Sequence, residues 1–307
     1  MTRDVTDNDL TIRPAQEADY EDVVAFTQDT WGEDSDYIPD VFHDWLDDQG
    51  DERMTYVADT GEDIAGLAQA VMLSDTEAWS QGMRVNPEYR NHGVGRAIVD
   101  SLFEWSHEQG AVVSRNMVFS WNQAGLGQSR GVGFDPVTEF RWLHPDPEPG
   151  THDETVTDDV DAAWSFWTNC EARSHLRGLA LDMDESWALR ELTPELLERA
   201  REETALFAVT DGDGTRAMGF RTRTHEREND DGEMETWAEY GVGAWADIDA
   251  AETLLSSIAT DAHESGADRT RVLIPETVRF VSDGAYLRAN ISEYPDFVMG
   301  ADLTGRF

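Results

Sequence analysis

The chain has no lysine: all 23 of its basic residues are arginine, set against 64 aspartates and glutamates, giving a formal charge of −41 over 307 residues. So little positive charge excludes the phosphate-neutralising surface from which nucleic-acid-binding proteins draw affinity, and it disfavours anionic membrane surfaces. The single cysteine, Cys170, excludes an internal disulfide framework and a cysteine-rich metal site, and leaves helix packing as its expected role. The eight histidines fall into no HxxxH or cysteine-paired spacing, so no metal is expected. Asp211-Gly212-Asp213-Gly214 carries Thr222 where a calcium loop needs its bidentate glutamate, and reads as a hairpin turn. Long apolar runs are absent, as is an apolar signal region in the opening MTRDVTDNDL, so the expected location is the cytoplasm.

What is present is enough to fold. Hydrophobic residues make up 39% of the chain and include eleven tryptophans, which opposes a disordered acidic polymer. Carboxylates spread over both halves without lysine resemble the cytoplasmic proteins of salt-accumulating microbes, in which counterions screen self-repulsion. The length exceeds one domain of roughly 100–200 residues, so two cores are expected.

Periodicity divides the first half clearly. Residues 19–28 and 40–48 read as helices, the latter with Val41, Phe42 and Trp45 on one side. Residues 54–59 and 64–73 read as strands joined by a Thr60-Gly61-Glu62-Asp63 turn. The next strand places Trp79, Met83 and Val85 on one face, interrupted by Gln81, and leads into a helix with Ile98, Leu102 and Trp105 at helical spacing. A strand over 113–121, a short helix over 122–130 and a strand over 134–143 follow, before Pro145-Asp146-Pro147-Glu148-Pro149-Gly150 breaks regular structure.

Between that strand and helix lies Arg90-Asn91-His92-Gly93-Val94-Gly95-Arg96, an RxxGxG turn. Two glycines one residue apart let the backbone approach a ligand closely, and a helix N-terminus directs its unpaired amides and partial positive charge at a phosphate. Arg90 adds a guanidinium suited to a phosphate oxygen. The longer VxPxxRxxGxG pattern, starting at Val85, is far more restrictive than the glycines alone.

This segment resembles the cofactor-binding motif of the GNAT superfamily of N-acyltransferases, which bind acetyl-CoA by its diphosphate at this turn. Thr11-Ile12-Arg13-Pro14-Ala15 followed by Asp19 resembles that family's first strand and helix start, and Gly133-Phe134 follows Asn122 as in its later motif. The resemblance covers about residues 10–145. It implies acetyl-CoA as co-substrate, held by Met83, Arg84, Val85, Arg90, Asn91, His92, Gly93, Val94, Gly95, Arg96 and Asn122. It also implies an α/β (α+β) fold with a mixed, mostly antiparallel central sheet flanked by helices.

The second half repeats the first in order. Residues 54–59 parallel 206–211, Ala65-Gly66-Leu67 parallels Met218-Gly219-Phe220, and 107–111 parallel 263–267. At that last offset Arg90, Gly93 and Gly95 correspond to Ala246, Asp249 and Ala251, so a carboxylate enters where phosphate would sit. Asp247 and Asp249 read as helix caps. The expected organisation is two GNAT-like domains, each with its own sheet: 1–145 binding acetyl-CoA, a linker over 146–157, and a degenerate copy over 158–307.

Chemistry is less explicit than binding. Many family members carry a tyrosine seven residues after the asparagine to protonate the departing thiolate; here that position is Ser129, a weak acid able to hydrogen-bond sulfur, or else an ordinary helix-surface serine. The glutamate that serves some members as base corresponds to Trp79, and Glu77 two residues earlier is the candidate, acting through water. Expected acceptors are small-molecule or peptide amines, and the expected assembly is a monomer or homodimer. A catalytically silent acyl-CoA-binding or regulatory module is the alternative.

Overall fold

The computed structural model describes residues 10–28, 36–151, 153–229 and 232–306. They divide into two compact units. The first comprises the described residues up to Val118, Asn122–Pro136 and those from Met299 onward; the second comprises Phe119–Trp121 and Val137–Val298.

In the first unit the order is β1 (Thr11–Pro14), α1 (Tyr20–Thr27), α2 (Ile38–Asp47), β2 (Arg53–Asp59), β3 (Ile64–Ser74), β4 (Glu77–Val85), α3 (Val94–Glu108), β5 (Val113–Phe119) and α4 (Gln123–Val132), followed by β6 (Asp135–His144). Strands β1 to β4 form an antiparallel meander and β5 pairs with β4 in parallel. Period-two alternation gives the sheet two apolar faces, each covered by helices. Ala58, Ala68 and Ala70 meet Ile98, Leu102 and Trp105 of α3, where small strand residues let a helix carrying large ones approach closely. Val57, Ile64 and Leu67 meet Val23 of α1 and Ile38, Phe42 and Trp45 of α2 on the other face. Helix α2 starts earlier than the periodicity predicts, because Pro39 lies in its first turn, where a missing N–H costs nothing.

Most of β6 belongs to the second unit, which continues with β7 (Val156–Thr157), α5 (Val160–Asn169), α6 (Glu171–His175), β8 (Leu179–Leu181), β9 (Leu189–Glu191), α7 (Pro194–Glu203), β10 (Ala205–Asp211), β11 (Gly214–Glu228), β12 (Met234–Trp245), α8 (Ile248–Glu264), β13 (Arg269–Pro275), α9 (Val278–Tyr286), β14 (Asn290–Ile291) and the first residues of β15 (Asp296–Asp302), whose remainder from Met299 belongs to the first. Asp211 caps its own hairpin turn by accepting from the Asp213 amide at 2.7 Å, as the DGDG composition requires. Cys170 joins α5 to α6, its sulfur accepting from the Arg173 amide.

Strand order corrects the expected pair of separate sheets. One thirteen-stranded sheet runs β1-β2-β3-β4-β5-β15-β6-β13-β12-β11-β10-β7, with β14 also paired to β6; β8 and β9 form a small second sheet. The expected organisation of tandem GNAT-like domains, each with its own separate sheet and the second a degenerate copy, is therefore overturned. The physical reason is the sheet edge: a strand's unpaired N–H and C=O groups accept any strand that completes the ladder, and the strand beside β5 is β15, from the far end of the chain. Among the described residues no helix is long and apolar enough to cross a membrane, and no group of three His, Cys, Asp or Glu side chains is placed to hold a metal ion.

Candidate functional site

The motif strand β4 is not regular. Gly82 adopts φ +64°, and a Cβ there would stand 2.2 Å from the Trp45 ring, so both conformation and space demand glycine. The β3–β4 register shifts at this bulge, between Leu67 and Gln69. Consequently Ala78 faces α3 with Val99 and Phe103, and so do Met83 and Val85 beyond the bulge. Trp79, one residue after Ala78, points to the opposite face. The sequence expectation of Trp79, Met83 and Val85 on a common face fails here, because the extra residue resets the alternation.

The bulge coincides with a fork in the sheet. Strands β4 and β5 pair in parallel only at Glu77–Trp79 against Val113–Arg115, after which β4 runs to Val85 with β3 as its ladder partner. Past the fork, β3 is the one strand paired with β4 among the described residues, and extended backbone at Met83 and Val85 suits a ligand that can pair with main chain.

Val85 leads into the turn. The Asn86 side chain accepts from the Glu88 amide at 3.1 Å and caps a single 3-10 turn at Pro87–Tyr89. Tyr89 is buried, and its hydroxyl donates to Asp63 at 2.7 Å, which pins the turn to the β2–β3 hairpin. Arg90 is exposed and extended, Asn91 takes a left-handed φ of +67°, and Gly93 takes +79° as the N-cap of α3. A Cβ on Gly93 would meet open space, so the backbone angle alone requires glycine there. Val94 is buried against the sheet and anchors the helix start.

Helix α3 has no side-chain cap and no acidic residue in its first turn. The first intrahelical bond at this end runs from the Ala97 amide to the Gly93 carbonyl, so the Val94, Gly95 and Arg96 amides precede it without intrahelical acceptors. Helix α8 shows the contrasting solution: Asp247 caps it by accepting from the Ala250 amide, and Asp249 lies in its first turn. In a chain this acidic, a helix start free of carboxylates and flanked by Arg90 and Arg96 is a local reversal of charge suited to an anion.

The remaining predicted residues are placed as follows. The Arg84 guanidinium is engaged by fully buried Asp36, with Nε 2.6 Å and Nη2 3.0 Å from its two oxygens, which leaves the main chain as the part of Arg84 that a ligand on the β4 edge would meet. His92 is half-buried within the turn. Arg96 reaches α4 and donates to the Gly131 carbonyl, and Gly95 makes room for Gln128, whose Nε2 stands 2.5 Å from where a Cβ would be. Asn122 caps α4 by accepting from the Gly125 amide at 2.9 Å, and Gly133 ends the same helix at φ +108° before buried Phe134.

Ser129 is buried within α4, not on its surface, and its Oγ accepts from Asn116 Nδ2 at 3.2 Å. Glu77 lies at the opposite end of β4 from the turn, on the paired side of the fork, where Arg115 and Ser74 donate to its two oxygens. The structure thus gathers the turn, the β4 edge and the start of α3 into one continuous backbone surface, and brings α4 to it through Arg96 and Gln128. It does not gather Glu77. Asp36, just before α2, Asn116 of β5 and Gln128 of α4 are neighbours of these residues that spacing does not indicate.

Residues 17–127 match the model of the Acetyltransferase (GNAT) family. Among solved structures, a GCN5-related N-acetyltransferase from Sphaerobacter thermophilus is similar with a TM-score of 0.60 at 14% identity, over 98% of this chain and 97% of that one. A putative acetyltransferase from Thermoplasma acidophilum gives 0.56 at 15% identity, over 95% and 99%. Another from Pyrococcus horikoshii gives 0.52 at 16%, over 98% and 92%. No curated protein matches the chain in sequence. The chain has the fold of the GCN5-related acetyltransferases over nearly its whole length, and the segment carrying the turn has the sequence features of the GNAT family.

Proposed function

We propose that the protein is an acetyl-CoA-dependent N-acyltransferase acting on a primary amine of a small molecule or peptide. The observation that carries this reading is the uncapped, carboxylate-free start of α3 after an RxxGxG turn at the end of a bulged strand. In this reading the Val94, Gly95 and Arg96 amides and the Arg90 guanidinium hold the diphosphate. The backbone of β4 at Met83 and Val85 pairs with the pantetheine arm, and an N–H there polarises the thioester carbonyl.

The chemistry is direct attack. The amine nitrogen forms a C–N bond to the acetyl carbon as the C–S bond breaks, and the proton lost by nitrogen balances the thiol that departs. Charge building on the thioester oxygen is stabilised by main-chain N–H groups that are already oriented, and a desolvated neutral amine held near the carbonyl needs little further help. Ser129 is the candidate donor to the departing sulfur. Glu77, already held by Arg115 and Ser74, serves better to tie β4 to β5 than as a base. The site works without a metal, in a cytoplasmic monomer or homodimer.

Thiol release from acetyl-CoA, measured in molar KCl across a panel of amines, tests the reading. Amine-dependent release, lost in Gly93→Glu, is the expected result. CoA binding without turnover on any acceptor would instead assign the chain as a silent acyl-CoA-binding module.

A further inference from the structure

Gln81 interrupts the apolar residues of β4, and the acyltransferase reading leaves it without a role. It does not stand alone. The strand registers set Thr55 of β2 opposite Gln69 of β3, and Gln69 opposite Gln81 of β4, so the three form a polar row across the sheet. The row lies on the face of Val57 and Leu67, which pack against α1 and α2, and not on the face covered by α3. Gln81 Nε2 donates to Gln69 Oε1 at 2.8 Å, and Gln69 Nε2 donates to Thr55 Oγ1 at 3.0 Å. Thr55 and Gln69 are fully buried, whereas Gln81 is half-buried.

Such a row is a poor way to stabilise a sheet. Each buried polar group gives up water for a protein partner, and apolar side chains of the same shape would stabilise the face at least as well. What the row supplies is direction. Thr55 holds Gln69 and Gln69 holds the Gln81 amide nitrogen, so the Gln81 carboxamide is set with a donor toward the core and its carbonyl oxygen turned away from the row. Gln81 stands two residues past the Trp79–Arg115 pair that ends the β4–β5 ladder, and at most about 7 Å of chain separates it from Met83, where the acyltransferase reading puts the thioester. An amide oxygen there accepts an N–H without the negative charge that would hold an amine as its non-nucleophilic ammonium.

We infer that Gln81 binds the acceptor and selects primary over secondary amines, its Oε1 accepting one N–H of the attacking nitrogen. As the C–N bond forms and the C–S bond breaks, nitrogen loses one proton, which balances the thiol that departs. A primary amine has a second N–H that stays on Gln81 throughout; a secondary amine has only the one it must surrender. This rests on the acyltransferase reading and adds to it the residue that chooses the class of amine, with Thr55 and Gln69 as the residues that position it.

The test measures acetylation of benzylamine, ethanolamine and putrescine, each beside its mono-N-methylated secondary amine, with CoA affinity followed by calorimetry. Wild type is compared with Gln81→Met and with the triple variant Thr55→Val/Gln69→Met/Gln81→Met. The single change strands the buried Gln69 oxygen and costs stability; the triple variant removes the whole row, so it should melt no lower than wild type. In both variants kcat/KM for the primary amines should fall about tenfold and that for the secondary amines by less than about twofold, which erases the preference, while the Kd for CoA stays unchanged. A preference that survives in the triple variant, or CoA affinity that falls together with kcat/KM, overturns the assignment and leaves the acyltransferase reading intact. Wild type that turns over none of these amines removes both.

Discussion

Asp296 shows how one residue's setting becomes a measurable property of the protein. It is buried at the start of β15, where Trp142 Nε1 donates to it at 3.0 Å, and burial pushes its carboxyl up to about 6 against the opposing influence of Trp142, Arg271 and Arg141. A folded-state value above the ordinary one means that the native state holds the proton more tightly. Stability contributed by this group is therefore present at low pH and lost as pH rises from about 4 through about 6. Asp296→Asn, which keeps an acceptor for Trp142 without the charge, should unfold in urea with about 2 kcal/mol more stability than wild type at neutral pH, and that gain should disappear in mild acid. A difference independent of pH would show that the carboxyl titrates normally. Residue identity is legible in a sequence, but such environments are not. Glu77 reads as a candidate base until the strand register brings Arg115 to it, and Ser129 as a surface serine until the packing of α4 buries it.

At the scale of elements, the bulge in β4 decides which side chains serve the core. Gly82→Ala forces a Cβ into the Trp45 ring at a φ that suits glycine, so the bulge must move or the strand must slip. The expected cost is about 2–3 kcal/mol in chemical denaturation, accompanied by weaker CoA binding as Met83 and Val85 shift. Wild-type stability in this variant would mean that the bulge is not fixed by Gly82. The strands and helices of the first half and the RxxGxG turn were readable because each rests on local periodicity or on a few consecutive residues, whereas α5 to α7 with β8 and β9 were not. The bulge was not, since a glycine inside an alternating strand changes the count only if the chain uses it. Nor were the fork and the Asn116–Ser129 pair, which depend on where a parallel ladder stops.

For the whole molecule, charge and sheet continuity set the terms. A net charge of −41 repels itself at low ionic strength, and many of the few arginines are already engaged, as Arg84 is with Asp36 and Arg141 with Glu276. Mobile counterions must supply the rest of the screening. The melting temperature should climb as KCl rises from about 0.05 M to about 2 M, with the steepest gain early, where the Debye length contracts fastest. A salt-independent melting curve would contradict this. Ordered parallels between the two halves of the chain suggested two separate sheets, yet strand order places β15 between β5 and β6 in one sheet. Local pattern encodes strands, whereas the edge each strand completes is a property of the whole chain.

The central claim is that the backbone from Arg90 to Arg96 binds the diphosphate of CoA. Isothermal titration of CoA into wild type and Gly93→Glu, in molar KCl and with folding of both checked by circular dichroism, tests it most directly. The account predicts that wild type binds and that folded Gly93→Glu does not, because the substitution strains a φ of +79° and places a carboxylate where the diphosphate would lie. Equal affinity in the two proteins, or no binding by wild type, would contradict it.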